Sequence, residues 1–303
     1  MIAHWGEIAA LITAVFWTVT ALVFESAGRK IGSLVLNLLR LLVGFIFLSI
    51  FTLFYRGYFF PVDATTEAWI YLFISGLIGF VIGDLCLFQA FVLIGARISM
   101  LIMSLTPPIT ALIGWIILGE TLTPQNWLGM IVTMTGISLV VLKRADRSIR
   151  KGMFNQLRIG FPLVGVLLAF AGAVGQGAGL VLSKFGMQDY DAFAASQIRI
   201  IAGIVGFGIL FTVLRRWRDV LLALSFRKPM IQMTVGAFFG PFLGVSFSLI
   251  AVKYASAGVA ATLMSIVPVL IIAPSAIFLK EKVTLKEIIG ALIAVAGVAL
   301  FFL

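Results

Sequence analysis

Very few side chains in this chain can do chemistry, and most of those sit inside long apolar runs. Arg40, Asp84 and Arg199 are the ionisable groups placed deepest in such runs. If the runs cross a bilayer, each of the three costs about 2.5–3.5 kcal/mol near its centre on insertion scales, so each needs a reason to be there. Arg40 lies six residues into its run, roughly 9 Å deep at about 1.5 Å per residue, and Asp84 lies about 15 Å from the same face. An arginine side chain spans that difference. We therefore expect an Arg40–Asp84 pair or a shared polar cavity, read either as a buried structural ion pair or as a device for a substrate carboxylate or a proton. Arg199 matches Arg40 at an offset of 159, within NLLRLLVG and SQIRIIAG. The match to Asp84 is Val245, so Arg199 has no symmetric acid and is left for a substrate or for Asp189 or Asp191. Asn37, Gln89, Gln176 and Gln197 add polar groups to apolar helices as candidate cavity lining, and Trp17 could stack on a substrate.

Other chemistries lack their residues. One cysteine, Cys86, and one histidine, His4, exclude a disulfide framework and a Cys/His metal cluster. No metal and no cofactor is expected. An intramembrane aspartyl protease needs two mid-membrane aspartates, and only Asp84 qualifies; a zinc or serine site fails for want of histidines. No GxxxxGK[ST] loop is present for an ATP-driven pump.

The elements that position these residues are apolar helices. Hydrophobic residues make up 62% of the chain and charged ones 11%, against about 45–50% and about 25% in soluble domains. Runs of about 20 apolar residues indicate membrane helices, whereas barrel strands would be about 10 residues long and would alternate. We expect an all-α integral membrane protein of ten transmembrane helices: Gly6–Phe24, Leu34–Phe54, Trp69–Val92, Ile98–Leu118, Trp127–Leu142, Ile159–Leu182, Ala192–Leu214, Met230–Val252, Val259–Leu279 and Ile288–Leu303. The first run lacks a basic leader and reads as helix one rather than a cleaved signal peptide.

The stretch Gly79–Leu142 recurs without a gap at Gly240–Leu303, an offset of 161. It is an internal duplication. Five spans per half is an odd number, so the halves 1–142 and 159–303 are expected as two inverted-topology five-helix repeats, joined by a basic cytoplasmic linker at 143–158. Seventeen of the 22 lysines and arginines fall on one side, and three (Arg56, Lys184 and Lys253) fall on the side of the termini. By the positive-inside rule the basic loops are cytoplasmic and both termini lie outside. The net charge of +10 is this loop bias, not a nucleic-acid surface.

Within the duplicated stretch several residues carry structural signals. Pro107 and Pro268 fall inside spans at matched positions, where each removes a helix hydrogen bond, so both are candidate hinges. Glu120 and Glu281 end matched spans ahead of Thr123 and Thr284, a structural turn in which Thr284 and Glu287 form a capping box. Gly79 and Gly83, and equally Gly240 and Gly244, continue small-residue stripes that let helices approach closely. Whether those faces pack within one chain or between two is open.

The stretches ARISMLIMSLTPPITALIGWIILGETLTPQNWLGMIVTMTGISLVVL and AGVAATLMSIVPVLIIAPSAIFLKEKVTLKEIIGALIAVAGVALFFL resemble the EamA repeat of the drug/metabolite transporter superfamily. The shared features are small residues opening the span, a mid-span proline, L-x-E at its end and a later G-x(6)-G. The opening helix departs from relatives, reading FWTVTALVF where W-G-x-x-F is common, which weakens the case for Trp17. The resemblance implies a ten-helix carrier in a lipid bilayer, moving small molecules such as amino acids or their relatives through a central cavity. It implies export or exchange across a plasma membrane, with proton coupling and monomer or homodimer left open. The rival classes are an intramembrane enzyme and a non-transporting scaffold. The scaffold would leave Arg40, Asp84 and Arg199 unexplained.

Overall fold

The computed structural model describes residues 4–152, 163–278 and 283–303. Among them it contains helices and no strand. In order these are α1 (Trp5–Ile31), α2 (Ser33–Arg56), α3 (Thr66–Gly76), a π segment (Leu77–Gly83), α4 (Asp84–Met103), α5 (Thr106–Leu118), α6 (Pro124–Gly152), α7 (Leu163–Met187) and α8 (Ala192–Val213). Then follow α9 (Trp217–Ala223), α10 (Arg227–Ala237), a second π segment (Phe238–Gly244), α11 (Val245–Tyr254), α12 (Ala257–Met264), α13 (Val267–Leu270), α14 (Ile272–Phe278) and α15 (Leu285–Ala299).

Seven stretches of the described residues are long and apolar enough to cross a membrane. Helix boundaries differ from the expected spans in three places. Met103 ends α4 and a new helix begins at Thr106, with Pro107 in its first turn, so the span expected at 98–118 is broken and leaves the short apolar helix α5. Proline is tolerated in a first turn because its missing N–H has no intrahelical partner there. Pro268 likewise opens α13 after a break at Ser265–Ile266. Second, α4 runs on through residues 93–97, where a connection was expected, while the matched positions in the other half do break between α11 and α12. Third, α15 has only 15 residues. Helix α6 also continues past Leu142 to Gly152, so the basic stretch opens as helix. Lys, Arg and Ala favour that state.

Single glycines make two of the sharpest joints. Gly32, at φ 81°, is the whole connection between α1 and α2. Gly119, at φ 66°, closes α5 in the left-handed region that other residues reach only with strain.

By contacts the chain forms two compact units, each drawing on both halves of the sequence. The first comprises residues 1–81 and 178–255. Here α1 packs against α10, the second π segment and α11, while α2 packs against α8. The stripe of Gly236, Gly240 and Gly244 is spent inside this unit. A Cβ on Gly244 would meet the Trp17 indole at 2.6 Å, one on Gly240 would meet Thr20 at 3.0 Å, and one on Gly236 would meet the Phe24 ring. Gly179 of α7 lies against Gly79, and Ser75 Oγ donates to the Gly179 carbonyl at 2.7 Å.

The second unit comprises residues 82–177 and 256–303. Its dominant contact is α6 against α15. The two helices cross at Gly129, Gly136, Gly290 and Gly297, which are related in pairs by the 161-residue offset. A Cβ on Gly136 would reach the Gly290 carbonyl at 2.5 Å, so the backbones touch. In the same unit α5 packs on α12, with Gly258 against Ala111.

The two π segments are also equivalent, since 77–83 shifted by 161 is 238–244. The second contains Pro241, whose missing N–H interrupts the α ladder; Phe80 stands at the matched place in the first. Within the first unit α2 sets Gly44 on Pro241, and α8 sets Gly203 on Phe80. Thus each half contributes a second helix that packs on the π segment of the other.

Candidate functional site

In the first unit Arg199 is 5% exposed at the middle of α8. It is buried because α8 is covered by α2 and α3, and the closeness of α3 follows from Gly76, whose added Cβ would meet the Arg199 carbonyl. The guanidinium lies over the Phe80 ring, 4.9 Å from its centroid, and Arg199 Nε has no hydrogen-bond partner. An aromatic face offsets part of the charge through its quadrupole but accepts no conventional hydrogen bond from Nε. A Cβ on Gly79 would come within 3.3 Å of Arg199 Nη2, so glycine there keeps room for the guanidinium. Asp191, one of the two acids considered for Arg199, is instead the N-cap of α8, accepting from the Ala194 N–H at 3.0 Å.

Arg40 is half-buried on α2, 5.9 Å from the centroid of the Phe24 ring. It belongs to the first unit and Asp84 to the second. Asn37 is buried and donates to the Ser33 carbonyl one turn earlier at 3.1 Å. Gln197 is fully buried, with Nε2 donating to Ser49 Oγ and to the Phe59 carbonyl, both at 2.7 Å. The Asn37 amide thus bonds within its own helix, whereas the Gln197 amide ties α8 to α2 and to the loop at Phe59. Trp17 is half-buried against Gly244.

In the second unit Asp84 opens α4 and is 7% exposed. Gln176 Nε2 donates to its Oδ1 at 2.9 Å, so the structure brings these two candidates together. Gly172 makes room on α7 by lying against the Gly83 carbonyl and Leu87. Gln89 points outward on α4. Glu120 accepts from the Ala257 N–H at 2.7 Å, so its carboxylate sits on the first turn of α12, where unpaired N–H groups and the helix dipole favour negative charge. Thr123 Oγ1 accepts from the Asn126 N–H at 3.2 Å, and Thr284 with Glu287 forms the reciprocal capping box. Glu281 lies outside the described residues.

Sequence reasoning missed one network. Arg56, at the end of α2, contacts Asp63 and donates from Nη1 to Tyr190 Oη at 3.3 Å, and Tyr190 donates to Asp63 Oδ1 at 2.9 Å. Arg56 Nε also lies 3.9 Å from Asp191 Oδ1, and its guanidinium stacks on the Tyr190 ring. Burial raises the Asp63 carboxyl, but the Tyr190 hydrogen bond and the Arg56 charge outweigh it and hold it below the usual carboxylate range. Burial, helped by Asp63 and opposed by Arg56, pushes the Tyr190 phenol up to about 12. The signal available was Arg56 and Asp63 flanking a loop with Pro61; the Tyr190 contribution is non-local.

Long apolar helices with a buried arginine, a buried aspartate and glycine-mediated crossings define a multi-pass membrane protein with a few polar groups held inside. The particular family follows from comparison with known proteins. The model of the EamA-like transporter family matches residues 4–142 and again residues 163–303, and the chain belongs to that family. It is similar to an uncharacterized inner membrane transporter, YhbE, of Escherichia coli (strain K12), at 27% identity over 143 residues, covering 46% of this chain and 43% of that protein. The relative of the same name in Shigella flexneri matches to the same extent. The match spans less than half the length of these relatives. A solved crystal structure 18% identical in sequence superposes with a TM-score of 0.74, over 98% of this chain and 96% of its own. At that identity the likeness is one of fold.

Proposed function

We propose that this protein is a secondary transporter that exports or exchanges small metabolites, such as amino acids or related compounds, across a plasma membrane. It works by alternating access around a central cavity. In this reading ten membrane-crossing helices form two inverted five-helix repeats, residues 1–142 and 159–303, with the basic loops cytoplasmic and the termini outside. Pro107 and Pro268, each at a break between helices, are the hinges.

The observation that carries the reading is Arg199. A guanidinium buried in an apolar helix, over an aromatic face and with Nε lacking an acceptor, is costly as pure structure. A carboxylate on a substrate supplies the missing acceptor during turnover. Arg40, at the equivalent position of the other half, is the second candidate contact, and Asp84 with Gln176 is the candidate for proton handling. Support for transport also comes from family membership and from the name of the curated relative.

The test is counterflow in proteoliposomes against labelled amino acids and small metabolites, which assumes no coupling ion. Saturable exchange that disappears in Arg199→Gln, with normal protein abundance, is expected. Exchange unchanged in both Arg199→Gln and Arg40→Gln would remove the arginines from substrate handling. No exchange of any panel member by folded protein would count against the metabolite class.

A further inference from the structure

The connection between α8 and α10 does more than join two helices. Helix α9 has seven residues, too few to cross a bilayer, and it lies between the end of one candidate span and the start of the next. Its Val220 and Ala223 are buried, whereas Leu221 and Leu222 are largely exposed and Trp217 is exposed beside them. Around it stand Arg215, Arg216, Arg218, Arg227 and Lys228, all exposed. The one acid of the segment, Asp219, is taken by Arg216, whose Nε donates to it at 2.7 Å. The segment therefore keeps a net positive charge beside exposed apolar side chains, the pattern of an element lying at a membrane surface.

A groove of about 410 Å³ opens next to this segment. It runs along one face of α10, lined by Arg227, Met230, Ile231, Thr234 and Val235, and the turn at Leu224 closes its end. These α10 positions recur at the three- and four-residue spacing of a single helix face. The opposite face, with Met233, Gly236 and Ala237, is buried against α1. The groove is thus apolar along its length and cationic at one end. Its volume lies in the about 300–1,000 Å³ range of small-molecule sites.

We propose that this groove binds an anionic phospholipid. One acyl chain lies along Met230, Ile231, Thr234 and Val235, and the phosphate meets Arg227 and Lys228. Charge complementarity selects the occupant, because a zwitterionic lipid brings its own cation to a groove end where Arg227, with Lys228 next to it in sequence, is already cationic. The site is independent of the transport reading.

The experiment titrates the full-length detergent-purified protein with phosphatidylglycerol or phosphatidylcholine, reading bound lipid by native mass spectrometry and the thermal midpoint in parallel. Inorganic phosphate and glycerol phosphate serve as headgroup controls. Saturable binding that favours phosphatidylglycerol and weakens with added salt is expected. In the double variant Arg227→Gln, Lys228→Gln the affinity for it falls about thirty-fold, from two cations near the surface. Thr234→Trp, which fills the groove and leaves the charges in place, also lowers binding. Equal binding of the two lipids, an unchanged affinity in either variant, or equally tight binding of the free phosphates would each overturn the proposal.

Discussion

Replacing Gly136 by alanine tests the backbone contact on which the second unit is built. The new Cβ would stand 2.3 Å from the Ala294 nitrogen and 2.5 Å from the Gly290 carbonyl oxygen. Both are main-chain atoms and cannot rotate away, so α6 and α15 must separate. Overpacking of this kind costs about 1–3 kcal/mol. Alanine returns about 1 kcal/mol of helix propensity, which leaves a net loss of up to about 2 kcal/mol. At the roughly 2–4 °C per kcal/mol found for domains of 150–250 residues, the thermal midpoint falls by up to about 8 °C. Gly208→Ala is the control, because a Cβ there meets nothing within 4 Å and only the propensity gain remains. The assay is thermal unfolding of both variants in detergent, followed by the monodisperse fraction on gel filtration. A Gly136→Ala protein that melts at or above the Gly208→Ala protein would refute the contact.

Further outcomes follow from the two acids and the loop network. Asp84→Asn keeps an oxygen for Gln176 but removes the charge, so normal membrane abundance with lost counterflow is expected; loss of the protein itself would make the residue structural. Glu120→Ala leaves the first turn of α12 without its carboxylate and lowers stability by about 0.5–2 kcal/mol, measured as a midpoint shift against wild type. Tyr190→Phe removes the donor to Asp63 and the acceptor from Arg56, and its destabilisation depends on pH. Asp63 is held low, so its contribution is present above the ordinary carboxylate range and fades as pH falls through its lowered value. Tyr190 is raised to about 12, so its contribution is complete below its ordinary value of 10 and is lost as pH rises through about 12. The difference in midpoint between wild type and Tyr190→Phe is therefore flat near neutrality and shrinks at both extremes; a slope across pH 6–8 would contradict the network.

Much of this protein is written locally. Apolar run length places the helices in a membrane, because an unsatisfied backbone in lipid leaves few alternatives. The gapless 161-residue offset exposes the duplication, and the position of Arg199 within an apolar run marks it as a buried cation before any fold is known. The capping box at Thr284 and Glu287 is likewise legible, since both partners lie within one turn. What the sequence could not assign is partnership across the chain. Pro107 and Pro268 read as kinks, yet each stands in the first turn of a new helix, after breaks at Ser104–Leu105 and Ser265–Ile266. Glu120 carries no mark that its carboxylate will cap α12, more than a hundred residues away. Phe80 looks like any lipid-facing phenylalanine until α8 lays Arg199 over it. Periodicity fixes which face of a helix is apolar or small, but only the assembled backbone decides which two faces meet, and the chemistry of Arg199, Asp84 and Tyr190 depends on those meetings.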